Sequence, residues 1–290
     1  MTLPAGVRAD VAGELDRDIV GVDAVGGGCI SPAYRLAFTD GTRVFLKTAP
    51  DGAPADMLVQ EAASLECIAA TRTIRVPRVL AVSAAWLALE WLEPTRDDAD
   101  AWAALGRALA RMHRNSDAQY GWPTPNFIGP LPQANERTRD WPAYWRTQRL
   151  EPQLQRARDR FDGATLRSFE RLLSELDARL ADTAADGPSL LHGDLWSGNV
   201  HFTAQGGALI DPSCCYGHRE VDLAMAALFG GFPPAFFDAY EAEWRRVPGA
   251  SGRRGIYQLY YLLVHVNLFG GAYVAQTRRV LESVLSLSIA

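Results

Sequence analysis

The residues of this chain best suited to chemistry lie between residues 192 and 212. HGDLWSGN at 192–199 is followed, after a short apolar run, by IDP at 210–212. Asp194, Asn199 and Asp211 have the order and spacing that a kinase-type phosphotransferase needs. The first aspartate accepts the proton of an attacking hydroxyl, while the asparagine and the second aspartate hold Mg²⁺ against nucleotide phosphates. Mg²⁺ keeps several waters, so two protein ligands plus phosphates suffice. His192 is interpreted as a structural hydrogen-bonding residue.

A single lysine supports the same chemistry. Lys47 is the only lysine in the chain. All the remaining residues among the 29 Lys and Arg are arginines. It ends an alternating run, TRVFLK at 42–47, which predicts a β-strand. A kinase needs a compact ammonium at this strand position to contact the phosphates, and the rigid fork of arginine does not replace it.

An acidic partner for Lys47 is expected on the helix that follows. Residues 55–69 show helical spacing and carry Glu61 and Glu66. The two lie about 140° apart around a helix, so only one of them can face the lysine. We favour Glu61, because the small residues Ala62 and Ala63 after it suit close packing on a sheet.

Two further segments are predicted to contact the nucleotide. The glycines at 26–28 separate two strands, so the backbone at Gly27 and Gly28 can approach phosphates, with the hydroxyl of Ser31 adding a donor. The spacing is not that of a GxxxxGK[ST] loop. At the end of a later strand, the backbone of Glu90, Trp91 and Leu92 is expected to face adenine.

The predicted elements give an α+β fold of two lobes, on the plan of the protein kinases. Strands near 19–25, 34–38 and 42–47, one helix, and strands near 79–82 and 86–91 predict a small antiparallel N-lobe over residues 1–92. Residues 93–290 predict a larger, mostly helical C-lobe. Its helices are expected at 101–114, 141–158, 165–181, 220–229, 234–244 and 255–275, and residues 190–212 are expected to be its only β-like part.

Composition excludes several classes of protein. The chain has 290 residues, 48% of them hydrophobic and 22% charged, and a net charge of −5, so no basic surface for nucleic acid is expected. The longest apolar stretch, 259–275, is too short to span a membrane. The acidic N-terminal segment lacks the apolar core of a signal peptide, which favours the cytoplasm. The four cysteines do not have the spacing of a zinc site.

Several motifs together resemble the fructosamine kinase (ketosamine 3-kinase) family, relatives of the aminoglycoside and choline kinases. The motifs are GGGCIS at 26–31, NFIG at 126–129, PQAN at 132–135, LLHGDLWSGN at 190–199, IDP at 210–212, YGHREVDLAM at 216–225, YQLY at 257–260 and LFG at 268–270. The resemblance implies phosphorylation by ATP, with Mg²⁺, of the C3 hydroxyl of a ketosamine. The phosphorylated adduct then releases its amine, which removes the sugar from a small amine or a protein lysine.

The resemblance also directs attention to the acceptor site near Asp194. Trp196 offers a ring face to a sugar or cationic amine, and Glu220 and Asp222 could contact hydroxyls or the ammonium. Alternatively, Glu220 pairs with Arg219, and Asp222 caps the following helix. The segment SCC at 213–215 departs from the expected pattern, which leaves the preferred sugar open.

Other readings stay open at this point. The runner-up is another small-molecule kinase of the aminoglycoside or choline type, and a third is a nucleotide-binding scaffold without catalysis. A monomer or weak dimer is expected, and ATP is preferred to GTP only by default. A separate hypothesis is that the thiol of Cys29, in the phosphate loop, is ionised and that its oxidation blocks ATP.

Overall fold

The structure, a computed structural model, describes residues 2–26 and 31–289. The N-terminal part has the elements α1 (Ala5–Leu15), β1 (Ile19–Val25), β2 (Ala33–Phe38), β3 (Arg43–Thr48), α2 (Met57–Thr71), β4 (Val79–Val82) and β5 (Trp86–Glu90). The strands form one sheet in the order β1-β2-β3-β5-β4, in which every neighbouring pair is antiparallel. The predicted order of three strands, a helix and two strands is confirmed, and α1 is an additional helix.

Strand β3 shows that the sheet has two different faces. One packs into an apolar cluster, and the other, which we call the cavity face, lines a cavity. Its side chains alternate, so Val44 and Leu46 are buried in a cluster with Val11 of helix α1. Phe45 and Lys47 point to the opposite face and line a cavity. The period of two residues in a strand is therefore what presents the single lysine to the cavity.

Helix α2 packs on the cavity face of the sheet. Leu58, Leu65 and Ile68 recur at helical spacing and are fully buried. They belong to a large apolar cluster that also contains residues of the C-terminal part, such as Leu109 and Leu191. The helix that carries Glu61 is thus fixed on both sides. The predicted lobe boundary at residue 92 stays a prediction, because this apolar cluster runs across it.

The remaining chain is mostly helical, which confirms the α+β class. Its elements are α3 (Ala99–His113), β6 (Asn126–Ile128), β7 (Leu131–Gln133), α4 (Trp141–Tyr144), α5 (Glu151–Ala157), α6 (Gly163–Arg179), β8 (Ser189–Leu191), β9 (Val200–Thr203), β10 (Gly206–Leu209), β11 (Cys215–Gly217), α7 (Glu220–Leu228), α8 (Pro234–Glu243), α9 (Ala250–Phe269) and α10 (Ala272–Ser286). A π-helical segment, Trp145–Leu150, joins α4 to α5.

Three expectations for this part were wrong. Strands β6 and β7 pair as a hairpin, and β11 pairs with β8, so residues 190–212 are not its only β structure. The helix predicted over 141–158 is interrupted by the π-helical segment. The helix predicted over 255–275 is two helices, because Gly270 and Gly271 both have positive φ angles and break the chain direction between α9 and α10.

No helix in the described ranges is both long and apolar enough to cross a membrane.

The contact between α3 and α8 gives a test of the packing. A Cβ added at Gly106 of α3 would lie 2.2 Å from the carbonyl oxygen of Phe236 in α8. We therefore expect Gly106→Ala to lower the free energy of unfolding by about 1–3 kcal/mol through overpacking. Gly13→Ala, at an exposed position of α1 with no atom within 4 Å, is the matched control and should raise it by about 0.5–1 kcal/mol. Urea unfolding measures both, and equal effects would contradict this close approach.

Candidate active site

A cavity of about 360 Å³ opens between the sheet, helix α2 and the segments around residues 194–213. Most residues predicted to act in the site line this one cavity. They are Ser31, Lys47, Glu61, Glu90, Trp91, Leu92, Asp194, Trp196, Asn199 and Asp211. Residues that lie far apart in the sequence are therefore brought to one concave surface.

Lys47 lies between two carboxylates. Its Nζ is 2.8 Å from Oε2 of Glu61 and 3.0 Å from Oδ1 of Asp211. Burial works to lower the pKa of Lys47, but the charges of Asp211 and Glu61 outweigh it, so the pKa is raised and the amine stays an ammonium. Glu66, the competing candidate on α2, is exposed. Glu61, the favoured candidate, is therefore the acid of α2 that faces the lysine.

The loop that carries Asp194 is held by a buried carboxylate. Asp222, in the first turn of α7, accepts hydrogen bonds from the backbone N–H groups of His192 (2.7 Å) and Gly193 (2.9 Å). Its Oδ2 also lies 3.0 Å from Nε2 of His113. Burial works to raise the pKa of Asp222, but these hydrogen bonds and the histidine outweigh it and lower the pKa. Asp222 is thus an ionised anchor of the loop.

Only glycine fits at position 193. Its φ angle is +83°, and an added Cβ would lie 1.9 Å from the carbonyl oxygen of Ser213. Its own carbonyl oxygen accepts a hydrogen bond of 2.8 Å from the hydroxyl of Tyr261. No side chain larger than hydrogen therefore fits at this position without a shift of the backbone around Ser213.

Asp194 and Asn199 are joined directly. The Nδ2 atom of Asn199 donates to the carbonyl oxygen of Asp194 (2.8 Å) and to its carboxylate (3.2 Å). Burial, followed by the nearby charge of Asp211, raises the pKa of Asp194 to about 7. A carboxyl group with a pKa in this range is well matched to accept a proton from a hydroxyl near neutral pH. His192 is buried behind the loop and bonds the carbonyl oxygen of Ile210, as its structural interpretation requires.

The donor set fits a magnesium ion. Asn199 donates from Nδ2 to Asp194, so its Oδ1 could bind a metal ion, and Asp211, which lines the same cavity, would supply carboxylate oxygens. Hard oxygen donors of this kind suit Mg²⁺. Asp211 has a φ angle of +54°, an uncommon value for a residue with a side chain, and its Oδ1 lies 3.0 Å from Nζ of Lys47.

The structure describes part of the cavity edge that the sequence predicts to face the nucleotide. Ser31 lines the cavity, while Gly27, Gly28 and Cys29 lie outside the described residues. At the strand end, the carboxylate of Glu90 forms an ion pair with Arg75 at 2.8 Å. The carbonyl oxygen of Leu92 accepts a hydrogen bond of 3.1 Å from Nε2 of His201 if that nitrogen carries the proton.

Two acids predicted near the acceptor lie elsewhere. The carboxylate of Glu220 forms a buried ion pair with Arg253 at 2.7 Å, so its predicted pairing with Arg219 was wrong. Asp222 points back to the catalytic loop, and neither acid lines the cavity. The geometry therefore does not support contact between these two acids and a substrate. Trp196 does line the cavity, and its ring lies over Gly198, where an added Cβ would be 2.1 Å from the indole.

Sequence reasoning assigned no role to several residues that shape the cavity. Gln60 and Ser64 of α2, Asn126 and Phe127 of β6, and Ser213 all line it. Their signal in the sequence was weak. The NFIG and PQAN segments were noted only as motifs, and Ser213 only as a departure from an expected pattern.

The ion pair gives a test with a matched control on the same helix. We expect Glu61→Gln to lower kcat/KM for ATP by about 100-fold, since a misplacement of roughly 1 Å can cost that much. Glu66→Gln makes the same chemical change on the exposed face of α2 and should leave kcat/KM unchanged. Steady-state kinetics with varied ATP measures both. A loss of equal size in the two variants would contradict the assignment.

Comparison with known proteins places the chain in a family. The model of the fructosamine kinase family matches residues 9–287. A probable ketoamine kinase of Synechocystis sp. is 39% identical over 270 residues, which cover 91% of this chain and 90% of that protein. The chloroplastic protein-ribulosamine 3-kinase of Oryza sativa subsp. japonica is 36% identical over 278 residues, covering 93% of this chain and 80% of that protein.

A solved structure shows the same relationship. The protein, from Thermobifida fusca and bearing the provisional name fructosamine-3-kinase, superposes with a TM-score of 0.90 at 35% identity. The match covers 97% of this chain and 99% of that one. Since the family model and these relatives span most of the sequence, the chain belongs to the fructosamine kinase family.

Proposed function

We propose that this chain is an ATP-dependent kinase that phosphorylates the 3-hydroxyl of ketosamines. One observation carries the proposal. Lys47, Glu61, Asp194, Asn199 and Asp211, the five side chains that phosphoryl transfer needs, line a single cavity in a member of the fructosamine kinase family. Membership of this kinase family implies ATP with a divalent metal, and we propose Mg²⁺ because the donors are oxygens.

Each residue has a distinct task in the proposed reaction. Asp194 accepts the proton of the ketosamine 3-hydroxyl as its oxygen attacks the γ-phosphorus and ADP leaves. Lys47, held by Glu61, contacts the phosphates of ATP through its ammonium group. Asn199 and Asp211 hold the metal ion, which supplies neutralisation of the phosphate charge when bound. Ser31 and the glycine-rich segment complete the nucleotide side.

We propose that the acceptor binds on the C-terminal side of the cavity. The indole of Trp196 faces the cavity two residues after Asp194, so a sugar or a cationic amine can stack on it there. Ser213, which has a hydroxyl where the family resemblance led us to expect a different side chain, lines the same cavity and is a candidate to influence sugar choice. The rice relative is named for ribulosamine, and we propose ribulosamines and fructosamines as the substrate class.

The finer parts of this assignment are proposals as well. We propose that the ketosamine is carried by a small amine or a protein lysine, that the amine is released after phosphorylation, and that the enzyme works in the cytoplasm as a monomer or weak dimer. No nucleic acid or membrane partner is proposed, in keeping with the net charge of −5.

A substrate panel tests the proposed function. We expect Mg²⁺-dependent ATP turnover on ribulosyl-lysine or fructosyl-lysine, and none on kanamycin or choline. Asp194→Asn should lower kcat by about 10²–10⁴-fold, the usual contribution of a general base. Phosphate transfer is followed by ADP release and by ³¹P NMR of the product.

A surface aspartate provides the control for that variant. Asp177→Asn makes the same chemical change at an exposed position of α6 and should leave turnover unchanged. Turnover on kanamycin or choline with silence on both ketosamines would replace the proposed substrate with that of another small-molecule kinase. Full activity of Asp194→Asn would remove the proposed base.

A further inference from the structure

The hairpin formed by β6 and β7 lies between the two acids that hold Lys47. On one side it contacts helix α2, where Oγ1 of Thr124, just before the hairpin, donates to Oε1 of Gln60 at 2.9 Å. Gln60 immediately precedes Glu61. On the other side the hairpin meets residues 213 and 214, which follow Asp211. The NFIG and PQAN motifs belong to this hairpin and its flank, and the proposed reaction gives them no task.

Ser213 joins the hairpin to the catalytic loop. Its Oγ donates to the carbonyl oxygen of Phe127 at 2.6 Å and accepts a hydrogen bond from Nε2 of Gln133. Its backbone N–H donates to the carbonyl oxygen of His192 at 2.8 Å. The residue two positions after Asp211 is therefore fixed through both its side chain and its backbone.

Gln133 is the centre of a buried cluster of polar side chains, which we call the amide cluster (Asn126, Gln133, Asn135 and Ser213). All four are at most 6% exposed. Nε2 of Gln133 also donates to Oδ1 of Asn126 at 3.2 Å, and Oε1 accepts from the hydroxyl of Tyr260 in α9 at 2.5 Å. Asn126 in turn donates from Nδ2 to the carbonyl oxygen of Cys214 at 2.8 Å. Two neighbouring residues after Asp211 are thus held by one cluster.

A buried cation anchors the far end of the amide cluster. Nη2 of Arg149, in the π-helical segment, donates to Oδ1 of Asn135 at 2.7 Å, and Nδ2 of Asn135 donates to Oδ1 of Asn126 at 2.8 Å. Arg149 is 2% exposed, and its Nη1 bonds the carbonyl oxygen of Ala134. Burying an arginine is costly unless its donors are bonded, so these hydrogen bonds act as one connected unit.

The backbone conformation of Asp211 indicates what the amide cluster stabilises. With a φ angle of +54°, this residue has an uncommon backbone conformation, although aspartate tolerates it better than most residues do. The residue before it is held by a hydrogen bond of 3.0 Å from the N–H of Ile210 to the carbonyl oxygen of Asn199. The residues after it are held by the amide cluster.

We propose that Gln133 and Ser213 are positioning residues that hold the backbone turn carrying Asp211, the proposed metal ligand. This inference rests on the proposed role of Asp211 as a metal ligand. Neither residue transfers a proton or a phosphate. They fix this turn from the hairpin side and hold it against helix α2, so that Asp211 and Lys47 would face the same phosphates.

Nucleotide binding with and without metal tests this role separately from catalysis. Isothermal titration of a non-hydrolysable ATP analogue gives its Kd in the presence of Mg²⁺ and in the presence of a chelator. We expect Ser213→Ala and Gln133→Leu to weaken the Mg²⁺-dependent affinity about tenfold, the scale of one buried hydrogen bond, and to leave the metal-free Kd unchanged.

Two further variants keep the test sharp. Tyr260→Phe removes only the hydrogen bond to Oε1 of Gln133 and should give a smaller change in the same direction, even if Gln133→Leu does not fold. Thr277→Val is the matched control, because the buried hydroxyl of Thr277 bonds only the backbone of its own helix α10 and lies outside the amide cluster. It should leave both Kd values unchanged.

The outcomes separate this inference from the substrate assignment. Equal weakening with and without Mg²⁺, or no change in folded Ser213→Ala and Tyr260→Phe, would overturn the positioning role. No ketosamine enters the titration, so a failed substrate panel would leave the positioning role standing. A changed Mg²⁺-dependent affinity in Thr277→Val would also overturn it, because any buried hydroxyl would then have the same effect.

Discussion

The ammonium of Lys47, held between Glu61 and Asp211, is the interaction on which the rest of the site depends. Its three members come from strand β3, helix α2 and the turn after β10, so their contact fixes three elements against one another. The side chains of Lys47 and Glu61 are each only about a tenth exposed, so removing one of them would leave the charge of the other poorly compensated by solvent. The pairing therefore constrains both the architecture and the chemistry.

The same requirement explains how the surrounding elements are anchored. Asp222 accepts hydrogen bonds from the backbone of residues 192 and 193. Side chains of the amide cluster form hydrogen bonds that hold residues 213 and 214. Between these anchors lie the proposed base Asp194 and the proposed metal ligand Asp211. A site built from such short, bonded segments is preorganised, which suits phosphoryl transfer because positioning and charge neutralisation supply most of its catalysis.

Much of this could be predicted from the sequence because the controlling patterns are local. The alternation in β3 sets the face of Lys47, and helical spacing in α2 allows only one of Glu61 and Glu66 to face it. The spacing of Asp194, Asn199 and Asp211 within one short segment likewise limits where their side chains can lie. In each case a period of two or 3.6 residues, or a short loop, decides the geometry.

Tertiary partners could not be predicted in the same way. Glu220 pairs with Arg253, thirty-three positions away, and Asp222 turns back to a loop thirty residues earlier. Neither partner has a fixed spacing, so local pattern left several choices for both acids. The break between α9 and α10 was missed because apolar residues continue on both sides of Gly270. The π-helical segment has no periodic signal of its own, although it places Arg149 in the core.

Covalent labelling tests the central claim, that Lys47 is the phosphate-contacting ammonium of a nucleotide site. An acyl-phosphate derivative of ATP transfers its acyl group to a nearby amine, and this chain offers only one lysine, so peptide mass spectrometry gives an unambiguous readout. We predict modification of Lys47 that ATP with Mg²⁺ suppresses and that Lys47→Arg abolishes. Modification of the α-amino group alone, or labelling of Lys47 that ATP leaves unchanged, would contradict the account.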